Sequence, residues 1–556
     1  MNVEEVQRRL WEQSGTHRQH RASTTPLFPT NPHDKRVRNL MDLMHHPQWL
    51  REAAERVLKR SYNKAPGVDG VTTGAFREGL EGKLERLRLE LKRGAYQPQP
   101  LRRVMIPKAN GKLRPLGIPC LRDKIVQEAM RMALEPIFEI EFHDNSYGFR
   151  PNRSTHHAVF RCQQLMRSGF TWVIEGDVQA CFDEISHKAI LRVVREKVQD
   201  NKFLDLVRRF LKAGVEVDDV VQPTEKGVPQ GGVISPLLAN AVLNKLDWFL
   251  HKQGRHDNAR AVAYYHGRPD VRFVRYADDW CVFITRGSKQ FAENLREQIR
   301  GFLRGACGLE LSVEKTHVTH VRDGFDFLGF RLIQGIGHGG TLVPKILVGP
   351  KAVRSVKARL SEAIRFRPQQ ESVALRLQRG SAVVRGWSEY YRVAHNFLRI
   401  AGTLDHHAFW IAVKAICRKF DSTSAQCVKR YGSTGVIRVN EFCQLETFSG
   451  KTLKLDYRGP TPYEPGQPVY ENDHDMEPSF ARHNERGRLG SMDLKLRTLQ
   501  RDQFRCCQCG ASVTAQDSQL DHIVPVSCFA TFAAASSDDN LQTLCLNCHW
   551  SKHYAM

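Results

Sequence analysis

Two adjacent carboxylates, Asp278 and Asp279, stand where one apolar run ends and another begins, in Phe273-Val274-Arg275-Tyr276-Ala277-Asp278-Asp279-Trp280-Cys281-Val282-Phe283. Asp is a poor strand residue and a good turn residue, so by itself the pair is compatible with a plain hairpin turn. A second apolar run, Trp172-Val173-Ile174-Glu175-Gly176-Asp177, also ends in an aspartate. Two-metal phosphoryl chemistry needs carboxylates from neighbouring strands. They hold two Mg²⁺ about 3.5–4 Å apart, one activating the attacking oxygen and one stabilising the leaving oxygen. Asp177 with Asp278 and Asp279 would supply such a cage.

A different chemistry is written at the other end of the chain. Cys506-x-x-Cys509 and Cys545-x-x-Cys548 are two closely spaced pairs, the usual donors of a tetrahedral Cys₄ zinc site. Six of the 14 cysteines fall in the last 51 residues, and Cys507 and Cys528 read as packing or bystanders. So dense a cluster suggests metal rather than disulfides in a reducing compartment. Between and after the pairs stand Asp521, His522, Pro525, Asn540 and His549.

The elements that must position these residues follow from pattern and composition. At about 150 residues per domain, 556 residues suggest three or four domains. Hydrophobic residues at 41% and charged residues at 26% exclude wholesale disorder and fibrous repeats. The net charge of +23 points to a polyanionic partner. No apolar stretch is long enough to span a bilayer, and the start lacks a basic-then-apolar secretory pattern, so an intracellular protein is expected. Residues 1–40 are polar and read as an extension or arm. Residues 41–348 alternate strands and helices as one large α/β domain. Residues 349–430 turn helical, with Val353, Val356, Leu360 and Ile364 at helical spacing. Between 351 and 430, sixteen Lys/Arg face five Asp/Glu, interleaved with Trp387, Tyr390 and Tyr391. A one-sign excess with aromatics suits a nucleic-acid surface better than a merely solvated face, although the three aromatics suit a core equally well. Residues 431–490 are rich in Gly and Pro and read as a linker. A cysteine-rich module closes the chain at 491–556.

Taken in order, these motifs resemble a bacterial group II intron-encoded reverse transcriptase. Lys64-Ala65-Pro66-Gly67-Val68-Asp69-Gly70 looks like the family's fingers loop. Ile106-Pro107-Lys108 with Leu113-Arg114-Pro115-Leu116-Gly117-Ile118-Pro119 resembles the first polymerase block, and Ser146-Tyr147-Gly148-Phe149-Arg150-Pro151 the second. Asp177 to Phe182, Gly227 to Pro236 and Tyr276-Ala277-Asp278-Asp279 match the next three. Glu314-Lys315-Thr316 and Phe327-Leu328-Gly329-Phe330 look like the last two. Eight blocks in the right order are strong, because chance matches have no reason to line up. The terminal module resembles an HNH (ββα-metal) endonuclease.

The resemblance implies a right-hand polymerase of fingers and palm, an all-α thumb or maturase domain, and a small zinc-bound HNH module. It implies that Asp177 and Asp278 ligate Mg²⁺, with Asp279 a third carboxylate beside them. Lys108 and Arg114 would meet the incoming triphosphate, Arg with a fork of donors and Lys as a point charge. Phe182 would sit under the sugar and exclude a ribose 2′-OH, and Gln230 would face the nascent pair. Read from residue type alone, Phe182 would be a core aromatic. In the terminal module the resemblance makes His522 the general base, Asp521 and His549 ligands of one divalent ion, and Asn540 an orienting or coordinating residue. Gly386 to Tyr391, with Trp387, Tyr390 and Tyr391, would contact RNA. The implied partners are the intron RNA, target DNA, template RNA with a DNA primer, and dNTPs, in the bacterial cytoplasm near the nucleoid. The implied function is to assist intron splicing, nick DNA and copy the intron into it. Two rival readings are a splicing-only maturase and a reverse transcriptase recruited for defence or repair. A dead polymerase should have lost one of Asp177, Asp278 or Asp279, and all three are present. Two departures from the family pattern stand out. Ala533-Ala534-Ala535-Ser536-Ser537 replaces glycines before Asn540, and residues 431–490 carry seven Lys/Arg against nine Asp/Glu where the family has a basic DNA-binding segment.

Overall fold

Alternating side chains along the two apolar runs enter two different cores, which is why those runs are apolar throughout. Ile174, Val282 and Ile284 belong to one buried cluster. Val173, Cys281 and Phe283 belong to another. The computed structural model describes residues 2–15, 36–61, 64–107, 113–217, 220–228, 231–254, 268–337, 340–368, 370–433, 435–440, 443–449, 492–514, 518–523, 538–545 and 548. It divides into two compact units, one running from the N-terminus to Thr452 with Arg458–Val469, the other holding Leu453–Tyr457 and Tyr470–Met556.

Two four-stranded sheets organise the first unit. One has the order β2-β1-β4-β5, with β1 (Leu101–Pro107), β2 (Leu113–Ile118), β4 (Val215–Val217) and β5 (Val220–Gln222). The other has the order β6-β7-β3-β8, with β3 (Trp172–Asp177), β6 (Asp270–Tyr276), β7 (Asp279–Thr285) and β8 (His317–His320), all neighbours antiparallel. The first core is built around two long helices, Leu121–Glu139 and Ser235–Gln253, which are buried on most of their surface, including polar residues such as Asp123, Glu128, Asn240 and Asp247. The polar N-terminal stretch read as an arm contains a helix, Val3–Gly15. That helix buries Leu10 and donates from Gln7 Nε2 to the Met132 carbonyl at 2.8 Å.

The second core joins the other face of the β3/β7 sheet to a three-stranded sheet, β11-β10-β9, with β9 (Phe325–Phe327), β10 (Phe330–Ile336) and β11 (Leu342–Val348). It continues into helices Pro350–Ile364, Val373–Tyr391 and Phe397–Phe420. The stretch after 431, read from composition as the start of a linker, instead folds onto these helices. It forms β12 (Gly432–Ser433), β13 (Val436–Asn440) and β14 (Cys443–Gln444). Ile437, Leu445 and Phe448 are buried in the second core, and Phe448 N–H donates to Asp405 at 2.6 Å. Its three apolar anchors outweigh its Gly content. The remainder of the expected linker, residues 450–490, lies outside the described residues.

The second unit contributes helix Met492–Arg501 and an antiparallel ribbon of β15 (Ser518–His522) and β16 (Leu541–Cys545). Among the described residues, no helix of either unit is long and apolar enough to cross a membrane.

Candidate active site and metal centre

Strand register brings the expected aspartates together. Tyr276 pairs with Asp279 across the β6–β7 hairpin, leaving Ala277 and Asp278 as a two-residue turn with Ala277 at φ +57°. Asp177, the last residue of β3, pairs with Asp279, the first of β7. The three carboxylates therefore share one sheet end. Lys315 Nζ pairs with the cluster, 2.6 Å from Asp177 Oδ2. Asp279 is exposed at the start of β7, yet loss of hydration among its neighbours and then the charges of Asp278 and Asp177 push its carboxyl up to about 7. Burial first, then the Asp177 charge, raises Asp278 too, while the positive field of Arg114 and Lys315 opposes that rise. The site holds more negative charge than its surroundings neutralise, which is the condition for binding divalent cations.

The turn is held from behind by a network that the sequence reading did not single out. Arg275 is fully buried and forks onto Asp247 of helix Ser235–Gln253, at 2.7 Å and 2.6 Å. Its third nitrogen donates to Asn240 Oδ1 at 2.8 Å and to the Ala277 carbonyl at 2.9 Å, capping the turn itself. Asn240 Nδ2 donates in turn to the Gly148 carbonyl at 2.7 Å. Tyr147 N–H donates to the Arg275 carbonyl at 2.9 Å. A Cβ on Gly148 would lie 2.4 Å from Ala277 N, so the Ser146–Gly148 block can back the turn only as glycine. Gly176 is required for the same kind of reason, since a Cβ there would lie 2.1 Å from the Trp280 ring. An arginine next to the Tyr276–Asp279 turn, in a mostly buried strand, was the available signal, because Arg is seldom fully buried unless paired.

The other expected polymerase residues fall as follows. Arg114 lies on β2 opposite Ile106 and is exposed. Phe182 is half-buried just beyond β3, edge-on to the exposed Phe149 with ring centroids 6.4 Å apart. Lys108 and Gln230 lie outside the described residues. Gly231, beside Gln230, has φ +110°, and a Cβ there would meet the Gly117 carbonyl at 2.3 Å, so the two family blocks touch through backbone. Trp387, Tyr390 and Tyr391 are half-buried in an aromatic seam. Tyr390 stacks on Phe330 at 5.3 Å and donates to the Leu328 carbonyl at 2.8 Å, and Trp387 packs on Tyr391 and Phe448. These are packing contacts, and each of the three rings also keeps part of its surface exposed.

In the second unit, the sulfurs of Cys506, Cys509, Cys545 and Cys548 all lie within 4.8 Å of one another. Cys509 and Cys545 are 3.9 Å apart, against about 3.8 Å for sulfurs on a tetrahedral zinc at 2.3 Å. Burial opposes ionisation of Cys506, yet backbone N–H groups around its sulfur bring the thiol down to about 6. The donor set is thus compatible with zinc. Asp521 is buried on β15 beside Gln542, whose side chain donates to it at 2.8 Å. Asn540 is buried next to the ribbon and accepts from Ile523 N–H through its carbonyl at 2.8 Å. His522 pairs with Leu541 by backbone. The side chain of His522, and all of His549, lie outside the described residues.

Comparison with known proteins gives three matches in order along the chain. Residues 106–332 match the model for reverse transcriptase (RNA-dependent DNA polymerase), residues 353–432 the group II intron maturase-specific domain, and residues 506–555 the HNH endonuclease. Protein YkfC of Escherichia coli is 46% identical over 320 residues, covering 54% of this chain and 84% of that protein. The chain belongs to the group II intron-encoded reverse transcriptases. The group II intron-encoded protein LtrA of Lactococcus lactis is 34% identical over 316 residues, 48% of this chain and 52% of LtrA. A putative COX1/OXI3 intron 2 protein of Saccharomyces cerevisiae is 28% identical over 460 residues, 71% of this chain and 53% of that one. The chain thus spans about half the length of those last two relatives. The family's reverse transcriptase match encloses all three clustered aspartates, and its HNH match begins at the first cysteine of the sulfur cluster.

Proposed function

We propose that the chain copies RNA into DNA at the Asp177/Asp278/Asp279 cluster, binds intron RNA and assists its splicing, and nicks target DNA with its terminal module to create the primer. The observation that supports it most is the register pairing of Asp177 with Asp279 beside the turn that carries Asp278. In this reading the β3/β6/β7 sheet is the palm, the β1/β2 hairpin belongs to the fingers and the helices after Pro350 form the thumb. Asp177 and Asp278 would hold two Mg²⁺, with Asp279 beside them. The ions supply activation of the primer hydroxyl and stabilisation of the leaving pyrophosphate. The chain's own part is to hold the carboxylates in place, with Arg275 fixing the turn. Lys108 and Arg114 bind the triphosphate, Phe182 reads the sugar and Gln230 faces the nascent pair.

The four cysteines would hold a structural Zn²⁺. His522 would draw the proton from water at the scissile phosphate, near one divalent ion held by Asp521, His549 and Asn540. Trp387, Tyr390 and Tyr391 order the surface that meets RNA. The protein would act in the cytoplasm, with nucleoid DNA as its target. Purified protein given poly(rA)/oligo(dT), dTTP and Mg²⁺ is expected to make DNA. Folded protein that makes none would overturn the polymerase assignment.

A further inference from the structure

Away from the aspartates, the helix His187–Lys197 carries Lys188, Arg192 and Arg195 at four- and three-residue spacings, which puts them on one face. With Arg36, Arg208 and Leu191 they line an open cleft of about 530 Å³. The cleft is a built feature of the fold. Backbone bonds of 2.8 Å from Val37 N–H to the Lys197 carbonyl, and from Gln199 N–H to the Val37 carbonyl, fasten its rim. Arg208 is tied to Asp205 at 3.1 Å. Lys188, Arg192 and Arg195 are exposed, and their side chains have no ion pair or hydrogen bond among the described residues. Among the described residues one acid lines the cleft, Glu196, and it lies 3.5 Å from Lys245.

We propose that this cleft binds the backbone of single-stranded RNA, separately from the carboxylate centre. Three like charges on one helix face repel one another, and a polyanion removes that repulsion. They span about 10 Å along the helix, more than one phosphate covers, so they fit a strand rather than a single ion. Leu191 and the guanidinium planes offer surfaces on which unpaired bases can lie. Glu196 would repel a phosphate, but a carboxylate accepts from the ribose 2′-OH, a donor that DNA lacks. The inference rests on the reading of the chain as an RNA-handling enzyme.

The test uses the full chain and its Lys188→Gln/Arg192→Gln/Arg195→Gln variant, since Gln preserves helix propensity at exposed sites. The probe is a 4-thiouridine-bearing oligo(rU) of twenty nucleotides. On irradiation it is expected to crosslink to the peptide spanning residues 187–208. The triple variant should lower that crosslink at least tenfold and reduce the log–log salt slope of RNA binding by about 2. Primer extension on poly(rA)/oligo(dT) should be unchanged, which also reports that the variant is folded. No crosslink to this peptide in a wild-type protein that extends primers overturns the inference. So does an equal yield from the deoxy version of the probe, or displacement of oligo(rU) by oligoglutamate at the same charge concentration. Wild-type protein that neither extends primers nor binds the probe is a different failure, that of the functional reading itself.

Discussion

At the hairpin, three carboxylates are held together by a body that extends far beyond them. At the terminal cluster, thiols are themselves part of the core among the described residues. The sheet end carrying Asp177 and Asp279 has a buried cluster on each face and a buried Arg275–Asp247 pair behind its turn. Among the described residues, the core of the terminal module is Leu499, Cys506, Val513 and Leu544, with Cys545 and Cys548 packed against it. Half of those six are cluster cysteines in a thin shell of apolar contact. The large body can therefore force like charges together and keep them there without metal. A module of about 65 residues is of the size that commonly needs a staple to fold. In the proposed reading the same type of event, metal binding, would be chemistry in one region and folding in the other.

The largest effects should separate these two roles. Asp278→Ala is expected to cut DNA synthesis on poly(rA)/oligo(dT) by about a thousandfold or more, several kcal/mol of transition-state stabilisation, while thermal unfolding of the large unit stays in place. Splicing assistance in an intron RNA assay should survive it. Cys506→Ser should do the reverse. The wild-type chain should carry one tightly bound zinc, measured by atomic emission, and the variant none. Protease resistance of residues from about 491 onward should disappear, with primer extension intact. If Cys506→Ser left the module folded and metal-free, the contrast between the regions would be wrong.

The aspartates were legible because strand ends announce themselves. An apolar run that stops at a carboxylate needs little context, and Asp177, Asp278 and Asp279 met as expected. The cysteine pairs were legible for a similar reason, since ligand spacing is local. What holds the hairpin was not, because Arg275, Asp247, Asn240 and Gly148 come from three separate segments and only register joins them. The stretch after 431 misled because composition averages over a segment, while Ile437, Leu445 and Phe448 act one residue at a time. The aromatics of the helical segment carried no signal that could separate packing from recognition, since both functions want a large flat side chain with a polar edge.

The next effect tests the support behind the hairpin. Arg275→Met leaves Asp247 buried and uncompensated and removes the donor that caps Ala277. A loss of about 3–5 kcal/mol in urea unfolding of the large unit is expected. The double variant Arg275→Met/Asp247→Leu should regain most of that stability without regaining full polymerase activity, because the turn would still lack its cap. Full recovery of both would mean that the network serves stability alone.

The smallest effect is the most direct measure of crowding among the carboxylates. In the folded chain Asp279 holds its proton up to about 7, whereas an unfolded Asp releases it near 3.9. The folded state therefore binds the proton more tightly, and its advantage shrinks as pH rises from about 4 to about 7. In EDTA, the melting temperature of the large unit should fall over that interval, and Asp279→Asn should flatten the fall. Mg²⁺ binds the ionised form, so its stabilisation should follow the opposite course. For a Kd of about 1 mM, 10 mM Mg²⁺ adds about 1.4 kcal/mol, a rise of about 1.5 °C in a unit of this size. That rise is expected at pH 8 and should nearly vanish at pH 5.5, where a proton on Asp279 cancels negative charge beside the ions. Cys506→Ser should leave it untouched, because the thiols of the terminal module take no part in it. An equal Mg²⁺ effect at both pH values would mean that Asp279 is ionised throughout and that the three carboxylates are not crowded in the metal-free protein.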